Sequence, residues 1–167
     1  MSESGIVTEN LELFLQSSEQ VLASIDAMSP ADRAEVSPDW LARVKASRSA
    51  DPWTHGFAVV QRASGTVVGM CAYKGPPNAA AAVEIAYGIN PEYQGRGYAT
   101  EVARALVAFA FASGQVRLVC AHTRPEENAS TRVLTKCGFE RIGELMDPED
   151  GLVWRWEFLP VPASHGG

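Results

Sequence analysis

The stretch that decides the fold is AVEIAYGINPEYQGRGYA, residues 82–99. Its first half alternates as a β-strand does, with bulky apolar side chains on one face and smaller residues on the other. The bulky face holds Val83, Ile85, Tyr87 and Ile89, and the opposite face holds Glu84, Ala86 and Gly88. The bulky face is predicted to be core. The opposite face carries one carboxylate and two very small residues, which leaves room for another molecule against the strand.

The second half of the stretch is a glycine-rich loop that leads into a helix. Its residues are Gln94, Gly95, Arg96, Gly97, Tyr98 and Ala99. Backbone N–H groups at the start of a helix lack intrahelical partners, and the helix dipole adds partial positive charge there. Gly95 and Gly97 have no Cβ to obstruct a close approach. The loop therefore predicts a binding site for a pyrophosphate beside a groove.

Other glycine-loop patterns compete with this interpretation. A P-loop needs G-x-x-x-x-G-K-[ST], and no such string occurs in the chain. A dinucleotide fingerprint needs Gly or Ala at its sixth position, where this chain has Thr100, and residues 90–93 separate the strand from the glycines. An ordinary glycine turn before a helix is the remaining alternative to a phosphate site.

Composition bounds the class of protein. The chain has 167 residues, of which 46% are hydrophobic and 20% charged, as in a soluble globular protein. We predict a single domain over residues 1–167, with residues 1–8 and 160–167 as loose tails. The net charge of −6 argues against nucleic acid as the main partner, because phosphate binding relies on Lys and Arg.

The expected cellular location and the expected state of the cysteines rest on patterns that are absent from the sequence. The first ten residues have no signal-peptide pattern, and no apolar run is long enough to span a bilayer. The three cysteines, Cys71, Cys120 and Cys137, are odd in number and lie in apolar segments, so we interpret them as reduced core thiols. A catalytic cysteine is the alternative; Cys71 and Cys120 have no histidine or basic residue beside them, and Cys137 follows Lys136. Cysteines and histidines show no zinc-ligand spacing, and we expect a cytoplasmic protein with no metal and no membrane partner.

The remaining segments complete an α/β (α+β) pattern. Strands are predicted at residues 11–15, 56–61, 66–73, 82–89, 117–122, 142–146 and 152–158, and helices begin after Ser17 and Ser37, at Tyr98 and after Asn128. Residues 29–30 are read as a break between the first two helices. Those helices either form a wall of the substrate site or only cover the sheet. The helix over residues 98–113 has an apolar stripe, and Glu101 and Arg104 on its other side have the spacing of an ion pair. A strand–helix–strand unit implies a right-handed crossover and a parallel strand pair.

A second motif lies in the helix that begins at Asn128, NASTRVLTKCGF, residues 128–139. It resembles the corresponding segment of the GCN5-related N-acetyltransferases (GNAT superfamily), especially the RimJ/RimL-like branch. Gln94-x-x-Gly97-x-Ala99 resembles the Q/R-x-x-G-x-G/A loop with which these enzymes hold the pyrophosphate of acetyl-CoA. The strand VEIAYGI, residues 83–89, and the run GYATE, residues 97–101, are similar to the same branch. The resemblance covers about residues 53–158.

The resemblance implies a mixed, twisted, mostly antiparallel sheet of about six or seven strands with helices on both faces. Its central parallel strands splay apart to admit acetyl-CoA, the expected cosubstrate. Backbone groups of Tyr87, Gly88 and Ile89 would bind the pantetheine arm as an added strand. Homodimers are frequent in the family, which makes a homodimer the expected assembly by analogy.

Further site residues follow from the same resemblance. The loop from Gln94 to Ala99 would hold the pyrophosphate. Asn128 would hydrogen-bond the pantetheine, and Arg132 and Lys136 would reach the nucleotide phosphates. The alternatives are that Asn128 is only a helix cap and that Arg132 and Lys136 are solvated helix charges.

The implied reaction is attack of an amine on the acetyl thioester. An alkyl ammonium has a pKa of about 10, so the nucleophile must lose a proton at neutral pH. Glu84 is the predicted base, acting directly or through water, and burial is expected to raise its pKa. The alternative is a structural carboxylate paired with a neighbouring strand. A backbone N–H near Gly88, where a strand glycine suggests a bulge or close approach, would meet the oxyanion.

One position departs from the family pattern. Many members carry a tyrosine that protonates the leaving thiolate where this chain has Leu134. Ser130 is the predicted substitute, and its alternative is an ordinary serine in the first turn of a helix. The sequence thus predicts an acetyl-CoA-dependent N-acetyltransferase acting on a protein N-terminus or a small-molecule amine. The alternative function is an acyl-CoA-binding sensor without turnover.

Overall fold

Strands and helices alternate around one sheet in the computed structural model, which describes residues 5–47, 50–148 and 151–158. The strands are β1 (Gly5–Val7), β2 (Leu11–Leu15), β3 (Phe57–Gln61), β4 (Val67–Tyr73), β5 (Ala82–Ile89), β6 (Leu118–Thr123), β7 (Glu140–Asp147) and β8 (Gly151–Phe158). The helices are α1 (Ser18–Asp26), α2 (Pro30–Ala34), α3 (Pro38–Ala46), α4 (Tyr98–Ala112) and α5 (Ala129–Lys136), with a 3₁₀ turn at Pro91–Tyr93. The predicted tail 160–167 lies outside the described residues, as do residues 1–4 and part of the turn before β8.

The strand order across the sheet is β1-β2-β3-β4-β5-β6-β8-β7. Every neighbouring pair is antiparallel except β5 and β6, which are parallel. The predicted mixed, mostly antiparallel sheet is therefore confirmed, although the described residues form eight strands rather than six or seven. The additional strand is β1, which pairs with β2 through Ile6 and Leu13. The sequence predicted loose residues there, because a three-residue strand is too short to show a period.

The parallel pair splays apart as predicted. Its register runs from Ala82 opposite Leu118 to Glu84 opposite Cys120 and ends there. Strand β5 nevertheless continues to Ile89, and β6 continues to Thr123. The two strands therefore diverge beyond Glu84 and leave a gap in the middle of the sheet.

Helices cover both faces of the sheet. Val83 and Ile85 of β5 are buried in one core cluster with Val102 and Leu106 of α4. Ala86 and Gly88 alternate with those residues and therefore face the other side, where they share a pocket with residues of α1 and α3. A separate cluster of Val21, Ile25 and Val44 joins α1 to α3.

Local sequence signals fix most helix ends. Ser17 caps α1 in a capping box with Gln20, and Ser37 caps α3 directly before Pro38. Residues 29–30 were predicted to be a break, but Ser29 caps the short helix α2 instead. A serine before a proline is itself an N-terminal helix signal, and here it starts one further turn of helix.

The predicted ion pair on α4 is wrong. Glu101 accepts hydrogen bonds from the Thr8 hydroxyl and from the backbone and side-chain amides of Asn10. Arg104 donates to the Lys136 carbonyl at 3.2 Å. Both side chains therefore join α4 to other parts of the chain, and these long-range partners outcompete a weak pair within the helix.

No helix among the described residues is both long and apolar enough to cross a membrane.

Candidate active site

A groove of about 400 Å³ lies between the end of β5, the glycine-rich loop and α5. Most of the predicted cosubstrate residues line it, namely Tyr87, Gly88, Ile89, Gln94, Gly95, Gly97, Tyr98, Ala99, Arg132 and Lys136, together with Ser130. Tyr93, Thr100, Ala129 and Val133 complete the lining. The two sequence motifs, residues 82–99 and 128–139, thus meet across a single groove. Their nearest ends are 29 positions apart in the chain, and they meet because β5 and α5 flank the start of α4.

The backbone of β5 offers free polar groups to the gap between β5 and β6. The backbone amide of Lys74 donates to the Glu84 carbonyl, and the backbone amide of Asn90 donates to the Val68 carbonyl. The peptide groups of the even-numbered residues of β5 therefore hydrogen-bond to β4. The peptide groups of Tyr87 and Ile89 therefore face the gap, where pairing with β6 has ended. The register opposite Gly88 is regular, and the expected bulge at that position is absent from the β4–β5 pairing.

The loop is shaped by two glycines in the left-handed region. Gly95 has φ +81° and Gly97 has φ +84°, and a Cβ on either would meet no atom within 4 Å. Gly97 caps α4 without a side-chain hydrogen bond, so the first amides of the helix remain open toward the groove. The Gln94 side chain donates to the Ile89 carbonyl at 2.8 Å and ties the loop to the strand end. These features are those of an anion-binding helix start.

Charge in the groove is positive. Arg132 and Lys136 are exposed on α5, and no carboxylate is among the described residues of the lining. Arg96 is not among the lining residues: its guanidinium lies 5.1 Å from the centre of the Tyr93 ring and donates to the Glu92 carbonyl at 3.4 Å. The structure therefore brings two of the three predicted cations to the groove wall.

The cap and the residues of α5 differ in whether they reach the groove. Asn128 does not line the groove, and its side chain accepts a hydrogen bond from the Thr131 amide at 3.0 Å as a helix cap. Ser130 is exposed and lines the groove. Leu134 is fully buried in the core, so the side chain at this position does not reach the groove.

Tyr87 forms the boundary between this groove and the opposite face of β5. Burial raises the pKa of its phenol, and Cys137 adds to the rise. The phenol therefore stays protonated and uncharged at neutral pH.

Glu84 lies outside the groove lining, on the face of β5 that also carries Ala86. Its Oε2 atom is 2.8 Å from Nδ1 of His122 and 3.4 Å from Nζ of Lys74. Its side chain is 23% exposed, and both of these contacts from the described residues use Oε2 rather than Oε1. The carboxylate is thus held from β6 and from the end of β4, and one of its oxygens remains for another partner.

His122 was not selected from the sequence as a site residue. Its Nε2 atom is buried and has no hydrogen-bond partner among the described residues. Its position opposite Glu84 depends on the splay of β5 and β6, and no local pattern signals it.

A second pocket of about 320 Å³ lies across β5 from the groove. Residues from α1, α3, the segment directly before β3, β4 and β5 enclose it, and it shares Tyr87 and Gly88 with the groove. Helices α1 and α3 of the N-terminal region therefore line a pocket, and their role as a wall of the substrate site stays a prediction. The arrangement lets one ligand meet another at the end of β5.

Comparison with known proteins places the fold. A family model described as "Acetyltransferase (GNAT) domain" matches residues 8–140. The chain is 38% identical over 60 residues to the N-acetyltransferase YnaD of Bacillus subtilis (strain 168), which is 36% of this chain and 35% of YnaD. The aligned part thus spans about a third of that curated relative.

Solved structures share the architecture over most of the chain. A GNAT-family acetyltransferase from Bacillus anthracis superimposes with a TM-score of 0.68 at 22% identity, covering 93% of this chain and 98% of that one. A ribosomal-protein-S5-alanine acetyltransferase from Vibrio fischeri gives a TM-score of 0.69 at 17% identity, covering 93% and 96%. The predicted GNAT fold is confirmed. The family model covers more than half of the sequence, and the chain belongs to the GNAT acetyltransferase family.

Proposed function

We propose that this protein transfers the acetyl group of acetyl-CoA to a primary amine. The observation that carries the proposal is the junction at Tyr87 and Gly88, where an anion-binding groove on one side of β5 meets a separate pocket on the other. A transferase of this kind needs two ligands that approach one reacting carbon from different sides.

The groove suits the cosubstrate in charge and in backbone geometry. Its glycine loop and the first amides of α4 would bind an anion, and Arg132 and Lys136 add two positive charges. The peptide groups of Tyr87 and Ile89 are positioned to pair with the amides of a pantetheine arm. Gln94 ties the loop to the end of β5, because its side-chain amide donates to the Ile89 carbonyl.

The reaction joins the amine nitrogen to the acetyl carbon. The nitrogen attacks the thioester carbonyl, the C–S bond breaks as the tetrahedral intermediate collapses, and one proton moves from nitrogen to the departing thiolate. An N–H from Tyr87 or Ile89 would stabilise the oxyanion, because the Gly88 amide points toward β4. Ser130 is exposed in the groove and is our proposed proton donor to the thiolate.

Glu84 is the proposed proton acceptor. It lies on the pocket face of β5, and His122 and Lys74 hold one of its oxygens. The free Oε1 would accept the amine proton directly or through a water molecule. The alternative role is that of a structural carboxylate, and turnover of Glu84→Gln distinguishes the two roles.

The acceptor, assembly and compartment are also proposals. RimJ/RimL-like acetylation of a protein N-terminus is one possibility, and one neighbour in fold is named as an acetyltransferase of a ribosomal protein. A homodimer and a cytoplasmic location are proposed by analogy with the family. The three described cysteines are free thiols, which suits a reducing compartment.

The test combines release of CoA thiol with calorimetry of CoA binding. Thiol release is followed with a chromogenic disulfide against a panel of small amines and short peptides. Acceptor-dependent release, with one acetylated product per thiol, is the expected result. Tight CoA binding without release from any acceptor would favour an acyl-CoA sensor, and absence of CoA binding would contradict the groove assignment.

A further inference from the structure

We infer that the acceptor presents its primary amine on an uncharged, apolar group. The inference rests on the proposed function, since it concerns the pocket that would hold the acceptor. It names the chemistry that this pocket recognises rather than one compound.

The walls of the second pocket are almost entirely apolar. Val21 and Ile25 of α1 face Trp40 of α3, while Met70 of β4 and Ala86 of β5 form the floor. Its volume of about 320 Å³ lies near the lower end of the usual range for ligand sites, roughly 300 to 1,000 Å³. This space suits a single ring or a branched alkyl group, with the amine directed toward Gly88.

The buried imidazole of His55, which lines the pocket, has hydrogen-bond partners on both nitrogens. Nδ1 of His55 accepts a hydrogen bond from the Asp51 amide at 3.0 Å, so its Nε2 carries the proton when the ring is neutral. Nε2 then donates to Ser18 Oγ at 2.8 Å, and that hydroxyl donates to the Val44 carbonyl. The ring is only 2% exposed and has no nitrogen left for a ligand.

The other polar groups offer no charge. The Ser24 hydroxyl donates to the Gln20 carbonyl within α1, and Gln16 contributes a neutral amide. No described residue of the lining is acidic. A polycation would lose hydration there without a counter-charge, because Glu84, the carboxylate on the same face of β5, is not part of the lining.

The pocket lining combines one fixed aromatic ring with flexible methionine side chains. Trp40 is anchored because its Nε1 donates to the Thr54 carbonyl at 2.6 Å. Met28 and Met70 are 36% and 42% exposed, and flexible thioethers accommodate apolar groups of different shapes. The pocket therefore selects an acceptor group by its apolar character more strongly than by its shape.

The first experiment compares acceptors on the unmodified protein. 2-Phenylethylamine and a peptide with N-terminal phenylalanine represent the apolar class, as a free amine and as a chain terminus. Spermidine, an aminoglycoside and a peptide with N-terminal serine are the polar comparators. We expect kcat/KM to be at least tenfold higher for one or both apolar acceptors, and the difference between those two identifies the source.

A matched pair of variants tests the pocket itself. Met70→Glu adds a carboxylate to the floor, and Met146→Glu makes the same change on β7, where Met146 is 70% exposed and outside the pocket. We expect Met70→Glu to lower kcat/KM for the apolar acceptor at least tenfold with CoA affinity unchanged. Met146→Glu should leave both quantities within twofold.

The outcomes separate the inference from the proposed function. Higher kcat/KM for spermidine or the aminoglycoside overturns the apolar acceptor and leaves acetyl transfer standing. An unchanged apolar preference in a folded Met70→Glu variant also overturns it. CoA binding without release from any acceptor overturns the proposed function and the inference together.

Discussion

Nδ1 of His122 lies 2.8 Å from Oε2 of Glu84 across the point where β5 and β6 separate. The two residues are 38 positions apart in the chain. Lys74 approaches the same oxygen from the end of β4 at 3.4 Å. The carboxylate is therefore held by two neighbours at the position from which it would act on an acceptor amine.

Glu84→Gln removes the proposed base while keeping the shape of the side chain. We expect kcat/KM to fall by about 10² or more, with CoA affinity nearly unchanged, because proton transfer is lost and the groove is intact. Glu157→Gln is the matched control, since Glu157 is similarly half-buried and lies in register with Cys120, the neighbour of Glu84. Unchanged turnover in Glu84→Gln would assign Glu84 a structural role.

His122 is expected to act through Glu84 as a positioning residue. His122→Ala removes the hydrogen bond to Oε2 and should lower kcat by about tenfold with little change in KM. His122→Asn can still donate from its amide and should recover much of that loss. Steady-state kinetics across pH measure both effects, and equal loss in the two variants would contradict a positioning role.

Gly97→Val tests the anion site at the start of α4. The substitution places a branched side chain at φ +84° and directs it into the groove, so CoA affinity should fall at least tenfold. Gly65→Val is the control for backbone strain, because Gly65 has φ +74°, equally open surroundings and a position in the β3–β4 turn. Calorimetry should show normal CoA binding by Gly65→Val, and normal binding by Gly97→Val would sink the assignment.

Glu101 stabilises the N-terminal region in a pH-dependent way. Burial opposes its ionisation, but hydrogen bonds from Thr8 and Asn10 outweigh that effect and lower its pKa. A carboxyl whose pKa is lower in the folded state contributes stability above its unfolded pKa and loses it as the pH falls through the folded value. Glu101→Gln should cost about 1 kcal/mol at pH 7, which is roughly 2 to 4 °C in Tm.

That difference in Tm should shrink as the pH is lowered below about 4, since the wild-type carboxyl then becomes protonated as well. Glu140→Gln provides the control, because Glu140 is exposed on β7. A constant difference between wild type and Glu101→Gln from pH 7 to the acid range would contradict an ionised Glu101.

Gly69→Ala tests the close approach of β4 to the end of β5. A Cβ at Gly69 would lie 2.3 Å from the Gly88 carbonyl oxygen and 3.1 Å from the Ile89 Cα, so the backbone of β5 must shift. We expect a loss of about 1 to 3 kcal/mol in the free energy of unfolding. Gly143→Ala on β7, where a Cβ meets nothing within 4 Å, should be close to neutral in the same thermal melts.

The elements around the groove could be predicted from the sequence because their signals are local. The alternation of β5, the glycines before α4 and the cap at Asn128 each depend on a few neighbouring residues, and the structure has all three. The short strand β1 and helix α2 were missed, since three to five residues are too few to show a period. Arg96 was predicted with the phosphate loop, and in the structure it contacts the Tyr93 ring and is not among the residues that line the groove.

The sequence by itself determined the order of the elements, the family resemblance and the anion-binding loop, because these depend on residues that are neighbours in the chain. Only the tertiary structure decided which side chains meet across the splayed strands. It placed His122 against Glu84 and enclosed an apolar pocket between α1, α3 and β5. Such contacts depend on where the parallel pairing ends, and that point is set by packing on both faces of the sheet rather than by any local pattern.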